Sequence, residues 1–284
     1  MKKLSVALAT FNEEGNIKRC LDSVKDIADE IIVVDGSSTD RTVEIAREFG
    51  AEVLIRENPE MFHINKQKAI DLATKDWVLQ LDADEYVSKS LGEEVKKIIN
   101  MNDEDILEYE EKTPKLFRRH QAILEKRDGP LGQEDKPYSA FFFPRANYFL
   151  GRYLKYGGVY PDGVIRLFKK DKAFLPCKDV HEQYVVDGRV GWLRNDLLHY
   201  DSPTFRKYIK RNNRYTSFIA SQYKSEKLSK NPIVGINYII IKPVYWFLLT
   251  FLRHKGFKDS WQGFLFSFFS SLRFPISYIK YLSR

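Results

Sequence analysis

The sequence predicts an α/β fold in which a mostly parallel sheet carries helices on both faces and amphipathic helices follow at the C-terminus. Short apolar runs alternate with helical patterns over the first hundred residues, and this alternation is typical of right-handed βαβ units. Polar clusters follow three of the predicted strands, and apolar residues recur at helical spacing from residue 205 onward. In such folds, ligands bind at the carboxyl ends of the strands.

The first hundred residues contain four predicted strands and four predicted helices. The strands are apolar runs, and the helices repeat their apolar residues three or four positions apart. Strands are expected at 4–9, 30–34, 51–55 and 76–81, and helices at 17–24, 43–49, 63–74 and 90–100. Thr39 or Asp40 is the candidate cap of the second helix.

The rest of the chain separates by composition into a charged segment at 101–138, a region of short strands at 139–201 and a basic helical region at 202–284. A helix is expected near 115–126 within the charged segment. We interpret this segment as a mobile excursion over the site or an acceptor-side insertion, with a solvated surface loop as an equal alternative. In the next region, short strands are expected at 141–143, 164–168, 180–184 and 190–192.

The composition is that of a globular protein. Of 284 residues, 43% are hydrophobic and 30% are charged, which excludes a disordered chain. Cys20 and Cys177 lie too far apart in sequence for a zinc cluster or a disulfide framework, so a reducing compartment is expected. The apolar run after Lys3 is too short for a signal peptide, and secretion is not expected.

Charge is distributed unevenly along the chain. Residues 202–284 hold 15 Lys and Arg but only two acids, whereas the preceding 201 residues hold 31 bases and 37 acids. A basic segment that is also rich in aromatic and aliphatic residues favours an anionic membrane surface over nucleic acid as its partner. The alternative is that its apolar stripes pack on the globular part.

An apolar stretch at 233–252 has the length of a membrane span. Lys242 and Pro243 interrupt it, and a lysine near the centre of a span costs about 3 kcal/mol on insertion scales. We therefore favour helices that lie in the membrane interface. A spanning or re-entrant segment at 233–252 stays open.

The main candidates for chemistry are Asp82 and Asp84, which follow an apolar strand. Alternate residues at a strand end can both point at one position if the chain turns there. Two converging carboxylates repel each other unless they share a cation, and their hard oxygens suit Mg²⁺ or Mn²⁺. Such an ion can hold a diphosphate leaving group. The alternative is an ordinary acidic turn.

Residues after the other strands are candidates for nucleotide binding. Asp35 can accept hydrogen bonds from a base or a ribose, Phe11 can stack on a base and Glu13 can meet a ribose. Lys66 lies near the start of a helix at the same sheet edge and can contact a phosphate. The alternatives are turns that cap or precede helices at the first three positions and a solvated helix turn at Lys66.

These residues fall within longer motifs. LATFNEE stands at 8–14, VVDGSSTDRT at 33–42 and LDADE at 81–85. Later motifs are PRANYFLGR at 144–152, GGVYPD at 157–162, RLF at 166–168, VHE at 180–182, LHY at 198–200 and KGFKDSWQG at 255–263. The first three resemble glycosyltransferase family 2, which has the GT-A fold. The later motifs resemble its bacterial branch for lipopolysaccharide core and related envelope glycans, so that the resemblance covers nearly the whole chain except 101–138.

The resemblance implies a Rossmann-like GT-A domain that transfers a sugar, with inversion, from a nucleotide diphosphate sugar to a hydroxyl of a membrane-linked glycan or lipopolysaccharide-type acceptor. A UDP-sugar is the usual donor. Residues 1–100 would form the nucleotide-sugar half and 139–201 the acceptor-side half.

The resemblance also implies roles for individual residues. Ala9, Phe11, Glu13 and Asp35 would hold the nucleotide. Asp82 would lie near the ribose and diphosphate and contribute to the metal site, and Asp84 would bind the metal. Gly36 stands where the family often has a second acid, which leaves Asp35 to act alone.

The acceptor hydroxyl needs a general base across the cleft. Glu182 in the VHE motif is the first candidate, and His181 is expected to ligate the metal or to orient Glu182; a surface His–Glu pair is the alternative. Asp162 is the second candidate base, with pairing to Arg166 or contact with acceptor sugar as its alternatives. His199 is expected to be a buried, hydrogen-bonded histidine rather than a ligand.

Two other functions compete with glycosyl transfer. A nucleotidyltransferase would need a glycine-rich basic loop after the first strand, where this chain has acidic residues. A non-enzymatic membrane-binding or nucleic-acid-binding protein would leave the acidic clusters unexplained. We therefore predict a cytoplasmic enzyme at the inner face of the cell membrane, which binds a nucleotide sugar and a glycan acceptor and needs neither nucleic acid nor a protein partner.

Overall fold

A computed structural model of the chain describes residues 1–178 and 182–283. Its main feature is a sheet in which ten strands take part, with the central order β3-β2-β1-β4-β8-β6-β12-β5 and with β7 and β11 paired to β6. A separate hairpin joins β9 to β10. The strands are β1 (Leu4–Thr10), β2 (Glu30–Asp35), β3 (Glu52–Ile55), β4 (Trp77–Leu81), β5 (Glu85–Val87), β6 (Tyr138–Phe149), β7 (Arg152–Tyr153), β8 (Asp162–Lys169), β9 (Ala173–Phe174), β10 (Val185–Val186), β11 (Arg189–Trp192) and β12 (Leu197–Ser202).

The strands of the N-terminal part are parallel. β1 pairs in parallel with β2 and with β4, and β2 pairs in parallel with β3. Next to β4 in the sheet, β8 runs antiparallel to both β4 and β6. β6 therefore runs in the same direction as the first four strands. β1 and β4 are buried along their length because both faces of the sheet are covered at these strands. β3, at the edge of the sheet, is mostly exposed.

Helices cover both faces of this part of the sheet. Successive side chains of a strand point to opposite faces, so each strand contributes to the packing on both sides. Leu4, Val6 and Leu8 of β1 belong to a core cluster that includes buried residues of the first and fourth helices. The third helix contacts β1 and β2 and contributes Ala69 and Ile70, which lie outside that cluster. The predicted α/β class, a mostly parallel sheet with helices on both faces, is confirmed. These helices are α1 (Ile17–Val24), α2 (Thr42–Glu48), α3 (His63–Leu72) and α4 (Lys89–Ile99).

The charged segment at 101–138 contains two packed helices, α5 (Asp103–Glu111) and α6 (Lys115–Asp128). Ile106 is buried in the main core, and the Phe117 ring packs on Trp192 at a centroid distance of 5.0 Å. Glu110 is buried and accepts a hydrogen bond from the Trp192 backbone amide. The helix expected near 115–126 is confirmed. The alternative of a solvated surface loop is wrong, because the few apolar residues of the segment pack on the core. Its interpretation as an excursion or insertion beside the site stays a prediction.

The described chain divides into two compact units. Unit 1 comprises Met1–Arg145 and Pro161–His199, and unit 2 comprises Ala146–Tyr160 and Tyr200–Arg284. The predicted boundary near residue 201 lies next to this division. Residues 146–160 were expected to belong with 139–201, but they group with the C-terminal helices. The Asp259 carboxylate explains the grouping, because it accepts hydrogen bonds from the backbone amides of Lys155 and Tyr156.

Unit 2 is mostly helical, as predicted. The helix Pro232–Arg253 has a mean hydropathy of 1.5 and is, by length and composition alone, the single helix in residues 1–178 and 182–283 that could cross a membrane. It consists of α8, a π-helical turn (Asn237–Ile241), α9 and a second π-helical turn (Leu249–Arg253), and a short 3₁₀ helix (Gly256–Asp259) follows it. The α-helices of this unit are α7 (Phe205–Ser225), α8 (Pro232–Ile236), α9 (Lys242–Leu248), α10 (Ser260–Ser271) and α11 (Arg273–Leu282).

Candidate functional site

The carboxyl ends of three neighbouring parallel strands lie on one edge of the sheet in unit 1. Thr10 of β1 lies opposite Asp35 of β2, and Leu8 of β1 lies opposite Leu81 of β4. The segments that follow these strands therefore share that edge, as the sequence predicted. We call this edge the carboxyl rim and define it by residues 9–14, 35–40 and 82–85.

Asp35 is a buried residue that holds the loop after β2 in place at the rim. Its side chain is fully buried and accepts hydrogen bonds of 2.7 Å from the Thr10 hydroxyl and from the amide and hydroxyl of Ser38. These bonds fold the loop that precedes α2. Direct contact between Asp35 and a nucleotide stays a prediction.

The N-cap of α2 is Arg41, with no side-chain cap bond, so the expected cap at Thr39 or Asp40 is wrong. Asp40 instead accepts from the amide and hydroxyl of Thr42.

The loops after β1 and β2 are bonded to each other. The Asn12 amide donates to the Ser38 hydroxyl, and the Asn12 side-chain oxygen accepts from the Thr39 amide. Asn12 has a φ of 55°, so the chain turns sharply after Phe11. The Phe11 ring is 45% exposed, which leaves a flat aromatic surface on the rim.

The other two nucleotide candidates of this loop are held more closely. Ala9 is half-buried within β1. The Glu13 backbone amide donates to the Thr42 hydroxyl, and its carboxylate accepts from the Asn16 side chain. Glu13 thereby links the loop after β1 to the first turns of α1 and α2.

Asp82 lies between two cations. Its carboxylate pairs with the Lys66 ammonium at 2.5 Å and with the Arg166 guanidinium at 2.7 Å. Although burial opposes ionisation, Arg166 and Lys66 hold the pKa of Asp82 well below its usual range. Lys66 is itself buried, so the solvated-turn alternative for Lys66 is wrong.

These ion pairs bear on the predicted metal ligands. Both carboxylate oxygens of Asp82 already face positive charge, and a divalent cation there would be repelled by Lys66 and Arg166. The ion pairs make Asp82 a fixed hydrogen-bond acceptor at the rim, and its contribution to a metal site stays a prediction.

Arg166 belongs to a larger buried network. It pairs with the fully buried Glu85 at 2.8 Å, and Glu85 also accepts from Arg145 at 3.0 Å. Arg145 in turn makes two hydrogen bonds to one oxygen of Asp162. Asp162 therefore pairs with Arg145, and the alternative in which it pairs with Arg166 is wrong.

Asp84 meets a residue that the sequence did not assign to the site. The imidazole Nε2 of His199 lies 3.4 Å from the Asp84 carboxylate. β12 pairs antiparallel with β5 so that His199 lies opposite Glu85, next to Asp84 in the chain. Neither β5 nor β12 was predicted, and the LHY motif at 198–200 was the available signal.

The pair of Asp84 and His199 fits a divalent cation. One carboxylate and one imidazole are donors that Mn²⁺ and Mg²⁺ accept, and diphosphate oxygens and water can complete the coordination shell. Residues 1–178 and 182–283 contain no cluster of three or more His, Cys, Asp or Glu side chains arranged for a metal. The predicted ligand His181 lies outside the described residues.

Glu182 is held by three hydrogen bonds. Its carboxylate accepts from the backbone amides of Cys177 and Lys178 and lies 3.1 Å from Nδ1 of His63. His63 stands on α3 one turn before Lys66, the partner of Asp82. α3 thus connects Glu182 to the carboxyl rim, and Glu182 is not part of an exposed surface pair.

Acidification is expected to destabilise the fold through His63 and His120. Burial lowers the pKa of both imidazoles below their ordinary value of 6.5. At pH values around and below 6.5, the unfolded chain therefore binds more protons at these imidazoles than the folded chain. The free energy of unfolding consequently falls as the pH is lowered. Urea unfolding at pH values of about 7.5 and 5.5 should show a smaller loss of stability in His63→Gln than in the wild type. Equal losses would contradict the contribution of His63.

This chain is similar in sequence to known proteins of one family. The family profile described as Glycosyl transferase family 2 matches residues 5–172. An uncharacterised glycosyltransferase of Rickettsia typhi is 30% identical over 268 residues, which are 93% of this chain and 82% of that protein. A second, from Rickettsia prowazekii, is 30% identical over 270 residues with the same coverage of both chains.

A solved structure, the glucosyl-3-phosphoglycerate synthase of Mycobacterium tuberculosis, is 28% identical over 30% of this chain and 34% of its own, with a TM-score of 0.26. That likeness is confined to part of the fold. The family profile and the two Rickettsia relatives cover most of the chain. The chain belongs to glycosyltransferase family 2 and is a glycosyltransferase.

Proposed function

We propose that this glycosyltransferase is metal-dependent and inverting, and that its donor is a nucleoside diphosphate sugar, with UDP-sugars as the first to test. The observation that carries the proposal is the meeting of Asp84 and His199 beside the Lys66–Asp82 pair on the carboxyl rim. This combination supplies groups for a cation, a diphosphate and a ribose on one edge of the sheet.

On the donor side, each residue has a separate task. Phe11 stacks on the base, with Ala9, Glu13 and the loop shaped by Asp35 around it. Asp82, fixed by Lys66 and Arg166, accepts hydrogen bonds from ribose hydroxyls, and the Lys66 ammonium faces the diphosphate.

Asp84 and His199 would hold the cation. When bound, it neutralises the charge that develops on the departing nucleoside diphosphate. His199 lies on β12 and Asp84 directly precedes β5, and the β5–β12 pairing fixes these strands in register, so the pair is preorganised by the fold.

On the acceptor side, we assign the general base to Glu182. It takes the proton from the acceptor hydroxyl as that oxygen bonds to the anomeric carbon, while the bond from this carbon to the diphosphate oxygen breaks. A single displacement of this kind inverts the anomeric configuration. Asp162 is the second candidate, because it lies in the same unit and is 37% exposed.

Glu182→Gln is expected to reduce kcat about a hundredfold, the typical loss when a general base is removed, while the KM for the donor stays unchanged. Glutamine has a similar shape and keeps one of the two oxygens that accept from the Cys177 and Lys178 amides. Asp162→Asn is the matched comparison, and kinetics with saturating acceptor provide the measurement. A normal kcat in Glu182→Gln together with a collapse in Asp162→Asn would move the base to Asp162.

The acceptor is proposed to be a lipid-linked or lipopolysaccharide-type glycan at the cytoplasmic face of the cell membrane. Support comes from unit 2, which joins strong positive charge to exposed apolar helices. A nucleotidyltransferase or a non-enzymatic binding protein is not favoured, because the chain belongs to a glycosyltransferase family.

The function is tested with a panel of nucleotide sugars in the presence of Mn²⁺, scored by the nucleoside diphosphate released. We expect at least one donor to be turned over in an EDTA-sensitive reaction. Turnover that persists in full with EDTA would contradict metal dependence. Release of pyrophosphate from a nucleoside triphosphate, with no nucleotide sugar consumed, would instead indicate a nucleotidyltransferase.

A further inference from the structure

The C-terminal part of unit 2 is an antiparallel pair of helices. Helix Pro232–Arg253 lies beside α10 and α11, and the contacts run in opposite directions along the two partners. They join Tyr238 to Tyr278, Trp246 to Ser270 and Phe251 to Phe264. We call residues 232–282 the helical hairpin.

The hairpin exposes a large apolar surface. Along helix Pro232–Arg253 one set of exposed apolar side chains recurs three or four residues apart, as expected for one face of a helix. This set is Ile233, Ile236, Ile240, Val244, Leu248 and Leu252. The exposed side chains of Ile239, Ile241 and Tyr245 widen this face. α10 and α11 add Trp261, Phe264, Phe268, Ile276, Ile279 and Leu282. A surface of this extent marks an interaction site.

Two cations in the middle of the hairpin, Lys242 and Arg273, are turned toward aromatic rings. The Lys242 ammonium lies 3.5 Å from the centroid of the Tyr238 ring, which itself stacks on the buried Tyr278. The Arg273 guanidinium lies 4.0 Å from the centroid of the Trp246 ring. Both cations thus lie against aromatic rings at the contact between the two helices. Lys242 interrupts the apolar stretch at 233–252 in the sequence, but it does not interrupt the exposed apolar face of the folded helix.

Both ends of the hairpin are bonded to polar segments of the same unit. At the loop end, the His254 carbonyl accepts from the Gly157 amide, and buried Asp259 accepts from the amides of Lys155 and Tyr156. At the other end, the Lys280 ammonium donates to side-chain oxygens of α7. A hairpin that crossed a bilayer would carry one of these polar segments into hydrocarbon, which is costly.

A basic cavity lies where the hairpin begins. Lys224, Lys227, Lys230 and Tyr281 line an open cavity of about 340 Å³. The sequence has no Asp or Glu between Lys227 and Lys258. Three lysines that line one cavity bring positive charge that suits a phosphate group, and Pro232 begins the apolar helix two residues after Lys230. The two neighbouring features together complement a phospholipid, which joins an anionic head to an apolar tail.

We infer that unit 2 docks on an anionic phospholipid bilayer with the hairpin lying flat in the interface and the lysine cavity on a lipid phosphate. The inference deepens the proposed membrane location, which remains a proposal, and it does not depend on the assignments at the carboxyl rim. Amphipathic helices with basic partners bind such surfaces through apolar burial and attraction to anionic lipid together.

Vesicle flotation of the full chain, without donor or metal, tests the inference. Phosphatidylcholine vesicles are compared with mixed phosphatidylcholine–phosphatidylglycerol vesicles. The triple variant Lys224→Gln, Lys227→Gln, Lys230→Gln should bind the anionic vesicles about a hundredfold more weakly. Its matched control removes the same charge from exposed lysines of unit 1, as Lys89→Gln, Lys97→Gln, Lys126→Gln, and should bind like the wild type. Equal losses in both triple variants would overturn the assignment of the lysine cavity to a lipid phosphate. Displacement of the protein from vesicles by inorganic phosphate at constant ionic strength would overturn it as well.

Depth measurements test the flat orientation. Single cysteines at Ile236, Ile240 and Leu248, in a chain with its two native cysteines replaced by alanine, carry a fluorophore quenched by lipids labelled at different depths. The helix rises about 18 Å from Ile236 to Leu248. A flat helix gives the same depth at all three positions, and a graded series of depths would overturn the inference in favour of a span. Because no turnover is measured, these results are independent of the proposed reaction.

Discussion

Arg166→Met is expected to lower the free energy of unfolding by about 3–5 kcal/mol, the range for removal of one partner from a buried ion pair. Methionine has a similar volume, so the loss is chiefly electrostatic. Arg166 is 7% exposed in its side chain and pairs with both Asp82 and the fully buried Glu85. Without it, Glu85 would share Arg145 with Asp162.

Urea unfolding of wild type and variant at neutral pH gives this difference. Arg127→Met is the matched control, because Arg127 pairs with Asp128 at the surface and is expected to cost less than about 1 kcal/mol. The double variant Arg166→Met, Glu85→Gln should recover part of the loss, since it removes the stranded charge. A cost at Arg166 no larger than at Arg127 would show that the network does not stabilise the fold.

Asp84→Asn is expected to reduce turnover of the nucleotide sugar about a thousandfold or more, because charge neutralisation at a leaving group contributes several kcal/mol to a transition state. The fold should be preserved. The Asp84 side chain is 27% exposed and lies at the rim, outside the ion pairs that fix Asp82 and Glu85. The variant therefore separates chemistry from stability.

The measurement is the initial rate of nucleoside diphosphate release, with the unfolding midpoint recorded for the same preparation. Asp22→Asn, an exposed carboxylate on α1 that pairs with Lys25, is the matched control and should keep full activity. His199→Asn should resemble Asp84→Asn if the two residues act as one site. Full turnover in Asp84→Asn would end its assignment to the cation.

Local patterns were sufficient to predict the carboxyl rim, and long-range pairing explains what they missed. Asp35, Asp82 and Asp84 each follow an apolar run, so parallel strands alone bring them to one edge. Arg166, which neutralises Asp82, is 84 residues away in sequence. His199 reaches Asp84 only through the register of β12 against β5, and these two short strands have no strong local signal.

The charged segment shows a different source of error. Glu110 resembles a surface residue in the sequence, yet it is buried with its carboxylate bonded to the Trp192 amide and the Thr113 hydroxyl. Burial raises the pKa of Glu110. A carboxylate compensated by a distant backbone amide cannot be distinguished from a solvated one by composition, so helix α5 was not predicted and the packing of α5 and α6 on the core was missed.

The most direct test is the binding of UDP with and without Mn²⁺, measured by calorimetry for wild type and Asp84→Asn. If Asp84 and His199 hold a cation that engages a diphosphate at the carboxyl rim, Mn²⁺ should tighten UDP binding to the wild type at least about tenfold, or about 1.4 kcal/mol. Asp84→Asn should bind UDP equally with and without the ion. The same tightening in both proteins would contradict the cation site on which the proposed reaction depends.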